Sequence, residues 1–150
     1  MAPFDSYKEL LIHACTLFQP KNVLEYGPGG STAFFLLYSD AHIHSIEHDP
    51  KWYEKAQTDY EGKSRVDIHL IQDHEDYITA DFGKKYDMIY VDGLCAWRVD
   101  CLKNAIEKLA PDGYVILHDS ERQIYNEGKE LYKEILTMNG TTLYQPLDKK

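Results

Sequence analysis

Apolar positions along the chain follow two spacings in turn, which predicts strands and helices in alternation. Short apolar or alternating runs are typical of strands, and they cover 23–26, 42–47, 66–71, 87–91, 114–117 and 141–144. Between them, apolar residues recur every three or four positions, which predicts helices over about 5–18, 31–39, 50–60, 97–109 and 121–138. This order favours an α/β fold of three layers, a mostly parallel sheet covered by helices on both faces.

Polar and turn-forming residues mark the ends of these elements. Asp5 or Ser6 can cap the first helix, and Pro20 follows its last turn. Asp49-Pro50 opens another helix, with proline in the first turn, where it is tolerated. Asn139-Gly140 is interpreted as the end of the last helix, after which one more strand follows. No internal repeat or linker interrupts the pattern, so we expect a single domain over residues 1–150.

The charge and composition of the chain disfavour some classes of binding partner. The formal net charge is −9, and no stripe of lysine and arginine interrupts the acidic residues. Because binding to nucleic acid usually needs clustered positive charge, we expect no nucleic-acid partner. The start of the chain has no basic segment followed by an apolar one, and no apolar run approaches the roughly 20 residues that span a bilayer. We therefore expect no membrane partner.

The three cysteines, Cys15, Cys95 and Cys101, are an odd and scattered set. Such a set fits reduced thiols better than a disulfide framework, which favours a cytoplasmic location. No Cys-x-x-Cys pair or matching histidine pair points to a structural metal. His42 and His44 alternate along one strand, and we interpret them as surface residues rather than metal ligands.

A glycine-rich turn follows the first predicted strand. The segment Glu25-Tyr26-Gly27-Pro28-Gly29-Gly30-Ser31-Thr32 leads from the strand directly into a helix. Glycines let the backbone turn sharply and approach a ligand, because no Cβ intrudes. This arrangement is how a nucleotide-type cofactor is held at the carboxyl end of a first parallel strand.

Acidic residues stand at the ends of the next three strands. They are Glu47, Asp73 and Asp92, and ligands of open α/β sheets bind outside these strand ends. Glu47 lies about 20 residues beyond the turn, the spacing at which a carboxylate reaches ribose hydroxyls; a solvent-exposed strand end is the alternative. Glu25 could anchor the turn through backbone N–H groups or contact the amino end of a ligand.

The turn distinguishes between two cofactor families. Dinucleotide dehydrogenases use G-x-G-x-x-G, but Thr32 stands where the third glycine belongs. The pattern E-x-G-x-G-G-S-T instead resembles the first motif of class I S-adenosylmethionine-dependent methyltransferases, within the compact group related to O-methyltransferases that carries D-G after strand four. Segments 45–49, 86–93 and 109–119 strengthen the resemblance. It implies a Rossmann-like fold and S-adenosylmethionine as cofactor.

The resemblance also implies roles for individual positions. The cofactor-binding set is Glu25, Tyr26, Gly27, Gly29, Gly30, Ser31, Thr32, Glu47, His48, Asp73, His74 and Asp92. In it, Glu25 and the turn would hold the methionine part, and Glu47 the ribose. His48 would lie beside the adenine, with Asp73 and His74 at its edge. Asp92 would face the methyl group.

Two acids are candidates for catalysis. Orienting the acceptor toward the methyl group supplies much of the rate enhancement of methyl transfer. A general base helps when the acceptor is a hydroxyl. Asp92 and Asp119 are the candidate bases, with His118 beside them. In related O-methyltransferases an acid and an Asp-Asn pair hold magnesium, but Ser120 replaces the asparagine here. A divalent metal is therefore possible but not favoured.

The expected function is methyl transfer from S-adenosylmethionine to a small-molecule acceptor, at oxygen. Cys95 stands where the D-G-x-H pattern of the family has histidine, which leaves open a protein that binds the cofactor without transferring the methyl group. An NAD-binding dehydrogenase is a further alternative. Class I methyltransferases usually end with an antiparallel strand seven, which we expect this sheet to lack. The resulting unpaired edge makes a homodimer possible.

Overall fold

A seven-stranded sheet forms the centre of the protein in a computed structural model that describes residues 7–147. The strands are β1 (Asn22–Tyr26), β2 (His42–Glu47), β3 (Val66–Leu70), β4 (Tyr86–Val91), β5 (Leu109–His118), β6 (Tyr132–Met138) and β7 (Thr141–Pro146). The helices are α1 (Lys8–Phe18), α2 (Gly30–Tyr38), α3 (Pro50–Asp59), α4 (His74–Thr79), α5 (Arg98–Lys108) and the short α6 (Asn126–Lys129). The proposed caps Asp5 and Ser6 lie outside the described residues.

The strand order is β3-β2-β1-β4-β5-β7-β6. The first five strands pair in parallel, whereas β7 is antiparallel to both β5 and β6. The chain order reverses direction between β1 and β4, and open α/β sheets bind ligands at such a switch point. The predicted Rossmann-like α/β fold is confirmed, and the switch point indicates where the site should lie.

Apolar side chains pack against both faces of the sheet. On one face Leu11 of α1 and Phe35 of α2 join Met88 of β4 in a buried cluster. On the other face Ile89 of the same strand packs with Leu102 of α5. Because β4 is buried on both faces, its sequence from Met88 to Val91 is a continuous apolar run rather than an alternating one.

The last third of the chain differs from the prediction. The helix predicted over 121–138 is wrong, because only Asn126–Lys129 is α-helical there and Tyr132–Met138 forms β6. Asn139 and Gly140 have φ of +52° and +78°, and both central residues of a tight two-residue hairpin need positive φ. The dipeptide therefore turns one strand into the next instead of ending a helix. The short helix α4 was also not predicted.

The expectation that strand seven is missing is wrong as well. The segment predicted as a final strand is β7, inserted antiparallel between β5 and β6, with Leu117 opposite Thr142 and Thr137 opposite Thr142 on its other side. The edge of β5 is thus paired within the chain. The argument for a homodimer that rested on an open edge is removed, and dimerisation stays a prediction.

Two further expectations concern the whole chain. None of the helices within residues 7–147 has both the length and the apolar character needed to cross a membrane. The three cysteines are free thiols, Cys15 and Cys101 buried and Cys95 partly exposed.

Candidate cofactor-binding site

An open cleft of about 400 Å³ lies at the carboxyl ends of β1, β2 and β4. Its lining comprises Tyr7, Gly27, Pro28, Gly29, Gly30, Ser31, Glu47, His48, Trp52, Asp92, Gly93, Leu94, Cys95 and Arg98. A larger groove of about 760 Å³ lies beside the β6–β7 hairpin, but it contains none of the predicted site residues. The chemistry therefore places the candidate site in the smaller cleft.

Gly27 is the point at which the turn leaves β1. Its N–H donates to the Ile46 carbonyl oxygen at 3.0 Å, and its φ is +91°. A β-carbon at this position would stand 2.4 Å from the backbone oxygen of Asp92. Only glycine combines this backbone conformation with such a close approach, so the ends of β1 and β4 meet at the floor of the cleft.

Glu25 lies beneath the turn and is fully buried. Its Oε2 accepts a hydrogen bond from Ser31 Oγ at 2.5 Å, and its Oε1 accepts from Thr32 Oγ1 and Ser45 Oγ, both at 2.6 Å. Burial raises the pKa of Glu25 to about 7, against the opposing effect of these hydroxyls. The carboxyl group is not among the cleft-lining groups, and it anchors the turn through hydroxyls rather than backbone N–H groups.

Thr32 explains why the third glycine of a dinucleotide motif is dispensable here. The side chain is buried, and its Oγ1 accepts a hydrogen bond from Gly29 N–H at 3.2 Å while donating to Glu25. The Thr32 N–H in turn donates to the Gly29 carbonyl oxygen at 3.2 Å. The threonine therefore fixes the start of α2 from below, and Ser31 is the hydroxyl residue that lines the cleft.

The side chain of Tyr26 points away from the cleft, into the core. Its hydroxyl donates to the Ile78 carbonyl oxygen at 2.9 Å and accepts a hydrogen bond from Lys108 Nζ. Lys108 is also buried, which lowers its pKa to about 8, and it donates to the Ala80 carbonyl oxygen at 3.1 Å. Tyr26 therefore contributes to the turn through its backbone and not through its side chain.

Glu47 lines the cleft at the end of β2. Its Oε2 accepts from the backbone N–H groups of His48 and Asp49, both at 3.0 Å, and lies 3.2 Å from His48 Nδ1. These contacts hold the carboxylate in one orientation. Among the described residues no hydrogen bond reaches Oε1, which leaves that oxygen for a ligand.

Asp73 and His74 are placed outside the cleft lining. Asp73 caps α4 by accepting from the Asp76 N–H at 3.0 Å. The imidazole of His74 is directed toward α5, where its Nε2 lies 3.1 Å from Asp100 Oδ2. The structure thus brings the turn, Glu47, His48 and Asp92 together, but it does not bring these two residues to them.

Trp97 packs between His48, which lines the cleft, and His74, which does not. Its ring centroid lies 5.7 Å from that of His48 and 5.0 Å from those of both Tyr77 and His74. These aromatic contacts hold His48 at the edge of the cleft.

Asp92 and Arg98 form an ion pair at the end of β4. Arg98 Nη2 donates to Asp92 Oδ1 at 3.1 Å, while its Nε and Nη1 donate to the carbonyl oxygens of Gly93 and His118 at 3.1 Å. Burial raises the pKa of Asp92, while the charges of His118 and Arg98 oppose this rise and that of Asp119 adds to it. Arg98 joins the ends of β4 and β5, a role that the sequence did not indicate.

Asp119 follows β5 in a left-handed conformation, with φ of +54°. Its Oδ1 lies 3.7 Å from His118 Nε2. Ser120 is buried; its N–H donates to the Gly140 carbonyl oxygen at 2.8 Å, and its Oγ lies 2.6 Å from Thr142 Oγ1. Because the serine hydroxyl is engaged by the hairpin, it is not placed to complete a metal site with the two acids.

Cys95 lies in the cleft wall in place of the expected histidine. Its sulfur lies 3.1 Å from the Tyr125 hydroxyl and accepts from Arg122 Nη1 at 3.2 Å. Tyr7 also lines the cleft, with its ring 5.9 Å from that of His118. Tyr7 and Trp52 were missed in the sequence, since Tyr7 reaches the cleft from the residue before α1 and no local pattern shows which side chain of α3 faces the cleft.

Comparisons with known proteins agree with this geometry. The family model described as a methyltransferase domain matches residues 24–120. The fold resembles a methyltransferase-like protein from Silicibacter pomeroyi, with a TM-score of 0.75, 19% identity and coverage of 99% of this chain and 89% of that one. No curated protein sequence matches.

Two other solved structures with the same fold carry ligands. One is the O-methyltransferase TomG from Streptomyces achromogenes in complex with SAM, with a TM-score of 0.73, 17% identity and coverage of 97% and 80%. The other is the N-methyltransferase NodS from Bradyrhizobium japonicum in complex with S-adenosyl-l-homocysteine, with a TM-score of 0.70, 14% identity and coverage of 97% and 89%. Since the family model spans the turn, the acids after β2 and β4, and the end of β5, the chain belongs to the methyltransferase domain family.

Proposed function

We propose that the protein transfers a methyl group from S-adenosylmethionine to a hydroxyl of a small-molecule acceptor. The observation that carries this proposal is that the glycine turn, Glu47 and Asp92 line one cleft at the switch point of the sheet. The proposal also draws on TomG and NodS, whose structures contain SAM and S-adenosyl-l-homocysteine.

The cofactor would lie across the ends of β1 and β2. Its carboxylate would face the N-terminus of α2, where backbone N–H groups and the helix dipole favour an anion. Glu47 Oε1 would accept hydrogen bonds from the two ribose hydroxyls. His48, held by Glu47 and Trp97, would border the adenine. Glu25 would act indirectly, by fixing the turn.

When bound, S-adenosylmethionine supplies an activated methyl group and leaves as S-adenosylhomocysteine. The protein has to orient the acceptor oxygen and to take up its proton. Asp92 is the first candidate base, because burial raises its pKa toward the range in which a carboxylate accepts a proton. Asp119, beside His118, is the second. Arg98 holds Asp92 in position through the contact at 3.1 Å.

The charge of the chain favours a small acceptor over nucleic acid. The chain carries a formal net charge of −9. The negative charge disfavours nucleic acid as an acceptor. The preference for oxygen over nitrogen rests on the two carboxylates, since a neutral hydroxyl has to lose a proton whereas a neutral amine can react before losing one.

Calorimetric titration with S-adenosylhomocysteine tests the cofactor. We expect binding that is weakened at least tenfold by Glu47→Gln, because the ribose loses its acceptor. Glu61→Gln, a change of an exposed acid away from the cleft, is the matched control and should bind normally. Binding of NADH in preference to S-adenosylhomocysteine, or equal affinity of Glu47→Gln and the parent protein, would overturn the proposal.

A methyl-transfer assay over phenols, carboxylic acids and amines tests the acceptor. We expect turnover with a hydroxyl compound, a lower kcat for Asp92→Asn or Asp119→Asn, and unchanged affinity for S-adenosylhomocysteine in the Asp119 variant. Transfer to amines alone would contradict the oxygen assignment. Cofactor binding with no transfer to any acceptor would favour the alternative of a binding protein, which the replacement of histidine by Cys95 suggests.

A further inference from the structure

Three histidines and an aspartate gather on β2 and β3, apart from the cleft. Parallel pairing sets His44 opposite Asp67 and Ile46 opposite His69. Residues two apart on a strand share a face, so His42 and His44 face the same side as Asp67 and His69. The interpretation of both β2 histidines as surface residues is wrong for His44, which is 8% exposed.

Donor atoms of His42, His44 and Asp67 lie close enough together to meet at one ion, and these three residues with the adjoining His69 form the histidine cluster. His42 Nε2 lies 2.6 Å from Asp67 Oδ2, and His44 Nδ1 lies 4.0 Å from the same oxygen. His44 Nδ1 is also 3.2 Å from His69 Nε2. Ligands of a tetrahedral zinc ion with bonds near 2.0 Å are separated by about 3.3 Å. The donor atoms of His42, His44 and Asp67 all lie within 4.8 Å of one another.

The electrostatic environment keeps these groups in the protonation states that bind metal. Burial lowers the pKa of His44 to about 4 and also lowers that of His69, so both rings are neutral near pH 7. Lys84 and His42 act on His44 in the same direction, whereas Asp67 opposes them. The hydrogen bond from His42 lowers the pKa of Asp67, which stays ionised. Neutral imidazoles and a carboxylate are the forms that ligate a metal.

His44 has a feature that hydrogen bonding within the cluster does not explain. Its Nε2 is buried without a hydrogen-bond partner among the described residues, although the residue is more than nine-tenths buried. The ring stacks on Phe82 at 4.9 Å, and His69 stacks on the same ring at 4.0 Å. These contacts turn Nδ1 of His44 toward His69 and Asp67. Nδ1 is therefore the nitrogen of His44 that an ion in the cluster would meet, and Nε2 would carry the proton of the neutral ring.

We propose that the histidine cluster is a Zn²⁺ site, with His42 Nε2, His44 Nδ1 and Asp67 Oδ2 as ligands and water in the fourth position. Imidazole nitrogens with one carboxylate suit zinc among the common divalent cations. The side chains of His42 and Asp67 are 37% and 51% exposed, so the ion can reach the site from solvent. Because β3 is an edge strand of the sheet, the ion would fasten that edge to β2.

The proposal does not depend on the methyltransferase activity. Titration of the metal-free full chain with Zn²⁺ should show one equivalent bound, and His42→Gln and Asp67→Asn should each weaken binding at least tenfold. Both changes are at partly exposed side chains and leave the buried rings in place, and circular dichroism checks that the variants fold. The controls are His13→Gln, at an exposed histidine of α1, and Cys95→Ser, which removes the partly exposed thiol.

The visible absorption of bound Co²⁺ provides a second readout, which a purely structural effect of the substitutions would not change. Co²⁺ bound to the parent protein should give the intense visible absorption of a tetrahedral site, displaced by Zn²⁺ and lost in His42→Gln. Failure to bind Zn²⁺ at submillimolar concentration, or equal Zn²⁺ affinity in the parent protein, His42→Gln and Asp67→Asn, would overturn the proposal. Loss of binding in Cys95→Ser alone would instead locate the ion at the cleft.

Discussion

At the scale of single residues, Gly27 is fixed by two separate constraints. Its φ is +91°, and a β-carbon would stand 2.4 Å from a backbone oxygen that cannot move aside without disturbing β4. Gly62 meets only the first constraint, since its φ is +78° but a β-carbon there would have no described atom within 4 Å. Substitutions at the two glycines therefore separate the free-energy cost of the backbone conformation from that of the close contact.

We expect Gly27→Ala to lower the free energy of unfolding by about 3 kcal/mol, and Gly62→Ala by about 1 kcal/mol. Urea denaturation of the two variants and the parent protein measures both values. The Gly27 variant should also bind S-adenosylhomocysteine more weakly, because its β1–β4 junction forms the cleft floor. Equal destabilisation by the two changes would show that the close contact with Asp92 relaxes at no cost.

Glu25 makes stability depend on pH. Burial raises its pKa from 4.5 to about 7, so between these values the folded protein holds a proton that the unfolded chain has released. The free energy of unfolding therefore falls as pH rises through this window. Glu25→Gln can accept the hydrogen bonds of Thr32 and Ser45 through its amide oxygen and donate to Ser31, but it does not titrate.

Between pH 5 and pH 8, we expect the parent protein to lose about 2 to 3 kcal/mol of stability relative to Glu25→Gln. Chemical denaturation of both proteins across this range measures the difference, and taking the difference removes the contributions of histidines that titrate in both. If the parent protein gained stability relative to the variant as pH rose, the carboxyl group would be ionised in the fold at low pH, contrary to the effect of its burial.

At the scale of elements, the helices and strands around the cleft are predictable and the C-terminal hairpin is not. β2 has the predicted bounds, and β1 and β4 begin one residue earlier. In 131–138, however, apolar residues fall at spacings of three and four that a helix also produces. Ile135 is 43% exposed, so one of the residues that made the pattern helical is not part of the core. The pairing with β7 decides the conformation, and such a contact is absent from local periodicity.

The turn of the hairpin gives a prediction at this scale. Asn139→Ala should lower the free energy of unfolding by about 1 kcal/mol, because alanine adopts the φ of +52° less readily than asparagine. Asn139→Gly removes the same side chain but accepts this conformation, and it should cost less. Thermal denaturation compares the two. Equal effects of the two changes would argue against a backbone origin.

The arrangement of the helices and strands also explains which site residues could not be predicted from the sequence. The turn and Glu47 lie in short segments where strand ends meet at one edge, so their positions follow from sequence order. Arg98 and Tyr7 reach the cleft from α5 and from the residue before α1, and only the packing of those helices brings them there. Asp73 begins a helix that the sequence did not predict, and its carboxylate caps that helix instead of lining the cleft.

At the scale of the whole molecule, the cleft and the histidine cluster occupy different parts of the sheet. Glu47 and His44 lie three residues apart on β2, about 10 Å along the strand, and they point to opposite faces. No residue lining the cleft belongs to the cluster, as far as the described residues extend. The two proposed ligands should therefore act on the stability of the fold independently.

We expect the increase in melting temperature caused by S-adenosylhomocysteine to be the same with and without saturating Zn²⁺. A ligand at 100 times its Kd stabilises the folded state by about 2.7 kcal/mol, which for a chain of this length raises the melting temperature by roughly 5 to 10 °C. Differential scanning calorimetry with each ligand alone and with both tests this. A combined free energy well above or below the sum of the two would reveal coupling along β2.

The sequence by itself determined the alternation of strands and helices, the glycine turn and the acids at the ends of β2 and β4. These are local features, because propensity, periodicity and the geometry of a parallel sheet act over a few residues. Tertiary structure alone decided that 132–146 is a hairpin, that Glu25 and Tyr26 face inward, and that His44 meets His69. Each of these depends on strand pairing or helix packing between residues distant in the chain, which no local pattern encodes.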